Sequence, residues 1–349
     1  MEFGVVFGGA SYEHEISIVS AIALQKVLGD GTCFIFLDGE HRFYLIDPKN
    51  MKASFFAKGL YKDVELTLGI GGFYQSKGFF QKKQILKIHT IYNLIHGAQG
   101  EDGTLSALFD FYKIHYIGPR MEACVLSFDK ALTKIYAKKR GVKVLDYQIL
   151  SLYSRDSLAI EFPIICKPAR LGSSIGVSVV TQSQDLDYAL DCALEYDSKV
   201  LVEPFLGDMK EYNLAGCKVG DEWLFSIVEE PQKRGDEILD FGNKYLDFSR
   251  TSYLHKAQIS PELESALQEN FKMIYEDMFE GAIVRCDFFV QSQGEIYLNE
   301  INPIPGSGAN YLFEDFISIL KTLAQNLPTK KPIRPSYRYI EQISRAKGK

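Results

Sequence analysis

The chain of 349 residues has no run of eighteen apolar residues, so no segment of it reads as a membrane-spanning helix. Its first ten residues hold no Lys or Arg, and helix-period charges follow soon after, so no secretory signal is expected. Six cysteines stand singly, without a C-x-x-C pair, mostly in apolar runs such as Cys166 in "PIICKP" and Cys286 in "AIVRCDFFV". Reduced core thiols of a cytoplasmic protein are the expectation. The six histidines show no H-x3-H spacing, which removes the common zinc arrangements. Excess positive charge is also missing. With a formal net charge of −6, no global field favours nucleic acid or an anionic membrane. An anionic ligand must therefore be held by a local cluster of donors. No internal repeat is visible, and no G-K-[ST] sequence opens a helix as in a Walker loop.

What is present is ordinary for a globular chain, with 46% hydrophobic and 24% charged residues and enough length for two or three cores. Phe3–Phe7 reads as a buried strand, Gly8-Gly9 as a turn, and residues 15–28 as a helix carrying Ile16, Val19, Ala23 and Val27 on one face. Strand, glycine turn and helix open a parallel α/β unit. Strands at Cys33–Leu37 and Thr90–Ile95, a helix over about 104–113 and the strand "HYIGP" complete a first domain, residues 1–118. Residues 40–88 hold short strand-like pieces with no functional signal. A second unit, 119–202, has a helix over Ser127–Arg140 stopped by Gly141, strands near 143–149, 163–168 and 175–180, and a helix near 184–195. Strand 199–204 opens the third unit, 203–349, which holds a helix over Pro261–Phe279 and the strand 282–290. The fold class is α/β followed by α+β.

The segment "RCDFFVQSQGEIYLNEINPIPGSG", residues 285–308, carries the strongest chemical signal. A two-residue turn at Gln293-Gly294 would set Ser292 opposite Glu295, Asp287 opposite Glu300 and Arg285 opposite Asn302. Side chains two apart share a face, so these four polar groups form one patch on an otherwise apolar hairpin. Oxygen donors from Asp, Glu and Asn suit magnesium. In "PIICKPARLGSSIGVSVV", Lys167 ends an apolar strand and needs an anion. The following Gly172, Ser173, Ser174 and Gly176 let backbone N–H groups close on phosphate oxygens. Glu13 in "GGASYEHEIS" stands at a helix N-terminus, and His96 in "HGAQGEDG" ends a strand of the same parallel sheet. Ligands gather outside the carboxyl ends of such strands, so these two turns can share one crevice. Glu203 lies at a strand end with Glu211 eight residues on, and "DFGNKYLDF" places Lys244 and Tyr245 in a long polar loop, 232–252, suited to a lid.

In this order, "GGASYEHEIS", "HGAQGEDG", "KPARLGSSIG", "RCDFF" and "NEINPIPG" resemble the D-alanine–D-alanine ligases over nearly the whole chain. The resemblance implies an ATP-grasp fold with the nucleotide between the second and third domains. It implies that Lys130 and Lys167 reach the phosphates, with Ser174 and Lys244 in the same nucleotide-binding group. It places Glu203 on the adenine amino group and Glu211 on the ribose. Asp287, Glu300 and Asn302 match the ligands of two magnesium ions, for which manganese can substitute. Glu13 matches the acid on the ammonium of the first D-alanine, with Ser173 and Tyr245 as its partners and His96 alongside. Arg285 and the Gly306 N–H match the groups that hold the reacting carboxyl oxygen, and Ser307, Tyr311 and Leu312 fall in the stretch that receives the second carboxylate. A cytoplasmic homodimer making peptidoglycan precursors, through an acyl phosphate, is the implied protein. The competing readings are a D-alanine–D-lactate ligase and a nucleotide-binding regulatory protein without catalysis.

Overall fold

The computed structural model describes residues 3–29, 31–75, 84–154, 158–231, 256–329, 331 and 333–347. Strand β1 (Phe3–Gly8) is buried along its whole length, and helix α1 (His14–Leu28) follows the glycine turn. β1 lies parallel to β2 (Cys33–Leu37), as its unbroken apolar run demands of a strand covered on both faces. The described part of 40–88 adds strands to the same sheet. Beyond β2, β3 (Phe43–Ile46), β4 (Val64–Gly69), β5 (Gly72–Gln75) and β6 (Gln84–Ile85) form an antiparallel meander, with the short helix α2 (Ala53–Ala57) between β3 and β4. On the other side β1 pairs in parallel with β7 (Thr90–Asn93), which pairs with β8 (Tyr116–Ile117) after helix α3 (Thr104–Phe111). The order is β6-β5-β4-β3-β2-β1-β7-β8.

The helix expected over Ser127–Arg140 is two helices, α4 (Met121–Phe128) and α5 (Lys130–Lys139). Asp129 takes extended backbone between them, and its carboxylate accepts the N–H groups of Ala131 at 3.0 Å and Leu132 at 3.3 Å, a side-chain cap that starts α5 afresh. The second sheet contains β9 (Gln148–Ser151), β10 (Ile164–Pro168) and β11 (Ser178–Val180); after α6 (Leu186–Leu194) comes β12 (Lys199–Pro204). Its order is β11-β10-β12-β9, antiparallel throughout. β12 therefore belongs to the second sheet, not to the third unit, because Lys167 pairs with Leu201 and Ile165 with Glu203. The strand expected from 143 begins only at 148. Lys143 instead turns outward to the third sheet, where its carbonyl accepts the Leu298 N–H at 2.8 Å and its Nζ meets Glu295 at 2.7 Å.

The third sheet has the order β14-β13-β15-β16, from β13 (Lys210–Val219), β14 (Glu222–Glu229), β15 (Val284–Val290) and β16 (Ile296–Asn302). Helix α7 (Pro261–Tyr275) packs on it through Leu267, Phe271 and Ile274; Ser260 caps its start by accepting the Leu263 N–H. It stops at Tyr275, short of the expected Phe279, because Glu276 leaves the helical region at ψ 138°. A 3-10 turn at Gly306–Leu312, α8 (Phe316–Gln325) and α9 (Arg338–Lys347) follow. The chain here returns to the first sheet: Phe316 meets Tyr92, and the Gly118 N–H donates to the Gly281 carbonyl at 2.9 Å. One apolar cluster consequently runs from Phe3 and Phe7 through Phe271 to Phe316. Four of the six cysteines, Cys124, Cys166, Cys217 and Cys286, are buried. Among the described residues no helix is long and apolar enough to cross a membrane.

Candidate active site

The β15–β16 hairpin sets Arg285 opposite Asn302 and Asp287 opposite Glu300, the pairing expected from sequence, but it gets there by another route. The Gln291 N–H donates to the Glu295 carbonyl at 3.0 Å and the Gly294 N–H to the Gln291 carbonyl at 2.8 Å. Residues 292–294 thus form a three-residue turn with Gly294 left-handed at φ +86°, one residue longer than the expected Gln293-Gly294 turn. Near the turn Phe288 faces Leu298 rather than Asn299. A bulge between Asp287 and Phe288, with Asn299 as the extra residue, then restores the register.

Asp287, buried at 3% exposure, receives a bidentate fork from Arg285 at 2.7 and 2.8 Å and the Asn302 amide at 3.0 Å. Burial, opposed by Arg285 and reinforced by Glu300 and Glu211, pushes its carboxyl up to about 6. Lys130 Nζ stands 3.9 Å from Glu300. Phe288 and Leu298 are buried on the opposite side of the hairpin. Asp287, Glu300 and Asn302 share one face of the hairpin, with Glu211 bearing electrostatically on Asp287, and are the residues that could hold a magnesium-like ion, which prefers oxygen donors.

The bulge also adds a residue that sequence reasoning missed. Asn299 turns its amide oxygen to Lys167 Nζ at 3.1 Å, and Lys167 also binds Glu203 at 2.8 Å. The second oxygen of Glu203 is ion-paired with Lys134, another residue not foreseen, although it stands one helical turn after Lys130 on α5. Lys134 and Glu203 are each only 1% exposed. Burial pulls the Lys134 ammonium down; at Glu203 it is outweighed by Lys167 and Lys134, which hold the carboxyl below its ordinary value. Burial also opposes the charge of Lys167, but Glu203, Glu300 and Glu211 keep that ammonium above its ordinary value. Lys167 is thus drawn by the metal-type face, Glu211 and Glu203 together. Both Glu203 side-chain oxygens are engaged by lysines.

The Gly/Ser loop after β10 is fixed by Arg170, whose N–H and guanidinium bind Asp197 at 2.8 and 2.5 Å. Ser173 and Ser174 are left-handed at φ 59° and 58°, a conformation that side chains adopt at a cost. Ser173 donates to Glu13 Oε1 at 2.5 Å across 160 residues of sequence. Glu13 is 5% exposed, and its Oε2 has no hydrogen-bond partner among the described residues. Burial, then Glu101, raises its carboxyl above the usual range. Gly97 and Gly172 make the space: a Cβ on either would come within 2.9 and 2.8 Å of the Glu13 oxygens. A cavity of about 1000 Å³ opens beside this turn, bordered by Gly9, Tyr12, Asp129, Arg170 and Asp197.

The first-sheet turns do share one crevice, since Ser11 donates to the His96 carbonyl at 2.8 Å. His96 is buried, and burial pulls its imidazole down to about 4, so the ring is neutral. Its Nδ1 faces Glu101 at 3.4 Å and its Nε2 faces Ser20 at 3.1 Å. Burial pushes the Glu101 carboxyl up to about 8. Glu101 lies within the quoted "HGAQGEDG" motif but was not singled out. Ser307, Gly308 and Ala309 are all left-handed, at φ 52°, 63° and 55°, and Leu312 is buried beside them. Gly306 opens that turn and Tyr311 lies in it. Lys244, Tyr245 and the whole of the proposed lid, 232–252, lie outside the described residues.

Two four-stranded antiparallel sheets, with Lys130 and Lys167 reaching Glu300 and Asn299 on the β15–β16 hairpin, and an α/β domain alongside define the class as an ATP-grasp enzyme. Residues 2–119 match the family model of the D-ala D-ala ligase N-terminus, and residues 138–318 that of the D-ala D-ala ligase C-terminus. D-alanine–D-alanine ligases of Helicobacter hepaticus and Wolinella succinogenes are 58% and 56% identical to this chain, each covered over 100% of both sequences. The crystal structure of the Helicobacter pylori D-alanine–D-alanine ligase superposes with a TM-score of 0.84 at 50% identity, covering 95% of this chain and 100% of that one. The chain belongs to the D-alanine–D-alanine ligase family. A D-Ala:D-Ser ligase of Enterococcus faecalis shares the fold at 23% identity and a TM-score of 0.73.

Proposed function

We propose that this site joins two molecules of D-alanine at the expense of ATP, supplying D-alanyl-D-alanine for peptidoglycan precursors. The observation that carries the reading is the buried Glu13 carboxylate with one oxygen bound to Ser173 and the other without a hydrogen-bond partner among the described residues, across from a cluster of lysines and acids. A buried anion with an open oxygen asks for a cationic group, and the ammonium of an amino acid supplies one. Its carboxylate then points to Arg285 and the Gly306 N–H.

In the first step that carboxylate oxygen attacks the γ-phosphorus, the bond from phosphorus to the ADP oxygen breaks, and an acyl phosphate forms. Lys130 and Lys167, with Lys244, spread the charge of the phosphates, and the Gly172–Gly176 loop with Ser174 covers them. Glu211 holds the ribose. Glu203, with its side chain between Lys134 and Lys167, borders the adenine side. In the second step the amine of the other D-alanine attacks the acyl carbon and loses a proton, and phosphate leaves with the carbon–oxygen bonding pair. Arg285 and Gly306 N–H stabilise the oxyanion that grows in the transition state, about 3 kcal/mol for each such donor. Ser307, Tyr311 and Leu312 receive the second carboxylate; the family resemblance adds Tyr245, which lies outside the described residues, to the group of Glu13 and Ser173. A divalent cation held by Asp287, Glu300 and Asn302 would neutralise the phosphoryl oxygens.

The family reading extends to two magnesium ions, replaceable by manganese, in a cytoplasmic homodimer. The test is direct: purified protein with ATP and magnesium should release phosphate only when D-alanine is added, with one dipeptide per phosphate by mass spectrometry. Phosphate release without dipeptide, or indifference to D-alanine, overturns the reading. Substituting manganese and measuring mass by light scattering check the two extensions.

A further inference from the structure

We propose that Ser20 is a positioning residue that sets the second-substrate site relative to the first, with helix α1 as the ruler between them. The inference rests on the assignment of Ser307–Leu312 to the second carboxylate. Three consecutive left-handed residues, two of them with side chains, do not hold their shape by local preference. Gly308 N–H is tied to the Pro305 carbonyl at 2.8 Å and the Asn310 amide to the Ser307 carbonyl at 2.7 Å, bonds that lie within the turn itself. The Ser307 N–H is different. It donates to Ser20 Oγ at 3.0 Å across 287 residues of sequence.

Ser20 is 2% exposed and stands on α1. Its hydroxyl also meets His96 Nε2, and the His96 ring faces the Ile304 carbonyl, two residues before Gly306. The other ring nitrogen faces Glu101. Glu101, His96 and Ser20 therefore brace the 304–309 backbone from the first domain. Glu13 is the residue at the start of the same helix, seven positions before Ser20, which is close to two full turns and places both on one side of α1. The helix that presents the carboxylate for the first ammonium thus also anchors the turn for the second carboxylate. Two amino acids that must meet at one acyl carbon are registered against a single rigid element.

Ser20→Ala removes the hydroxyl and keeps a good helix former. It should raise KM for the second-site D-alanine by about tenfold, the scale of leaving one buried N–H unpaired. KM for ATP and for the first-site D-alanine should move by less than about twofold. Ser20→Thr, which retains a hydroxyl, should restore most of the loss. Adding Ala309→Gly to Ser20→Ala should recover part of it, because glycine adopts the left-handed turn without a Cβ penalty. Thermal melts with ATP run alongside confirm that each variant is folded. Equal changes in both D-alanine KM values, no change in either, or a Thr variant as impaired as Ala in folded protein would each overturn the proposal. Wild-type protein that makes no dipeptide would instead overturn the functional reading beneath it.

Discussion

Glu300 and Glu101 are both acids near Lys130, yet their surroundings give them opposite work. Glu300 faces Lys130, with Asp287 opposite it in the hairpin. Glu300→Gln keeps the shape and removes a charge from the face proposed to hold the divalent cation. Turnover should fall by about a hundredfold or more while the melting curve stays close to wild type; near-normal rates in millimolar magnesium would show that this face binds no catalytic cation. Glu101 is instead kept neutral by burial, its carboxyl pushed up to about 8 from an ordinary 4.5. The folded protein then binds a proton that the unfolded chain has already released, so this residue withdraws stability as pH rises from about 4.5 through 8. His96 works the other way: its depressed value near 4 adds stability above about 6.5 that is lost as pH falls. Glu101→Gln removes only the first effect. Its melting temperature relative to wild type should rise steadily between pH 5 and 8, and a constant gap would mean that Glu101 is ionised in the fold.

At the scale of elements the β15–β16 hairpin is the instructive case. Alternation of polar and apolar side chains was enough to pair Asp287 with Glu300, because burying either acid with Phe288 and Leu298 would cost several kcal/mol. Turn length was not legible, since Gln-Gly prescribes no single hairpin type, and the compensating bulge at Asn299 leaves no trace in an alternating pattern. The strand–turn–helix opening of the first domain and the start of the helix at Pro261 could be read because periodicity is local; the Ser260 cap was supplied by the structure. Lys134 and Ser20 could not, since their partners Glu203 and Ser307 are distant in sequence and only the fold supplies the contact. The bulge yields its own prediction. Asn299→Ala removes one of the acceptors of Lys167 but leaves the strand pairing, so KM for ATP should rise about threefold to tenfold with KM for D-alanine unchanged. A variant indistinguishable from wild type would reduce Asn299 to a spacer in the ladder.

On the scale of the whole molecule, the first and third units are joined by short backbone approaches as well as by side chains. Gly281 is left-handed at φ +80° and accepts the Gly118 N–H; a Cβ there would lie 2.7 Å from Pro328 and 3.1 Å from Arg120. Gly281→Ala should therefore cost roughly 3 kcal/mol, combining a left-handed penalty with overpacking. Urea unfolding should register it as an earlier transition, and an unchanged midpoint would mean that this seam yields freely. The seam between the second and third units is of another kind. β16 is the outer strand of its sheet, and Lys143 covers it with a carbonyl on the Leu298 N–H and an ammonium on Glu295. A bare outer strand is a template for other chains, and proteins that keep one exposed tend to aggregate. The short reach of Lys143 thus guards solubility as well as shape. If the second unit lags behind the third during folding, β16 is open to a neighbouring chain, and recovery of soluble protein should decline with concentration at that stage.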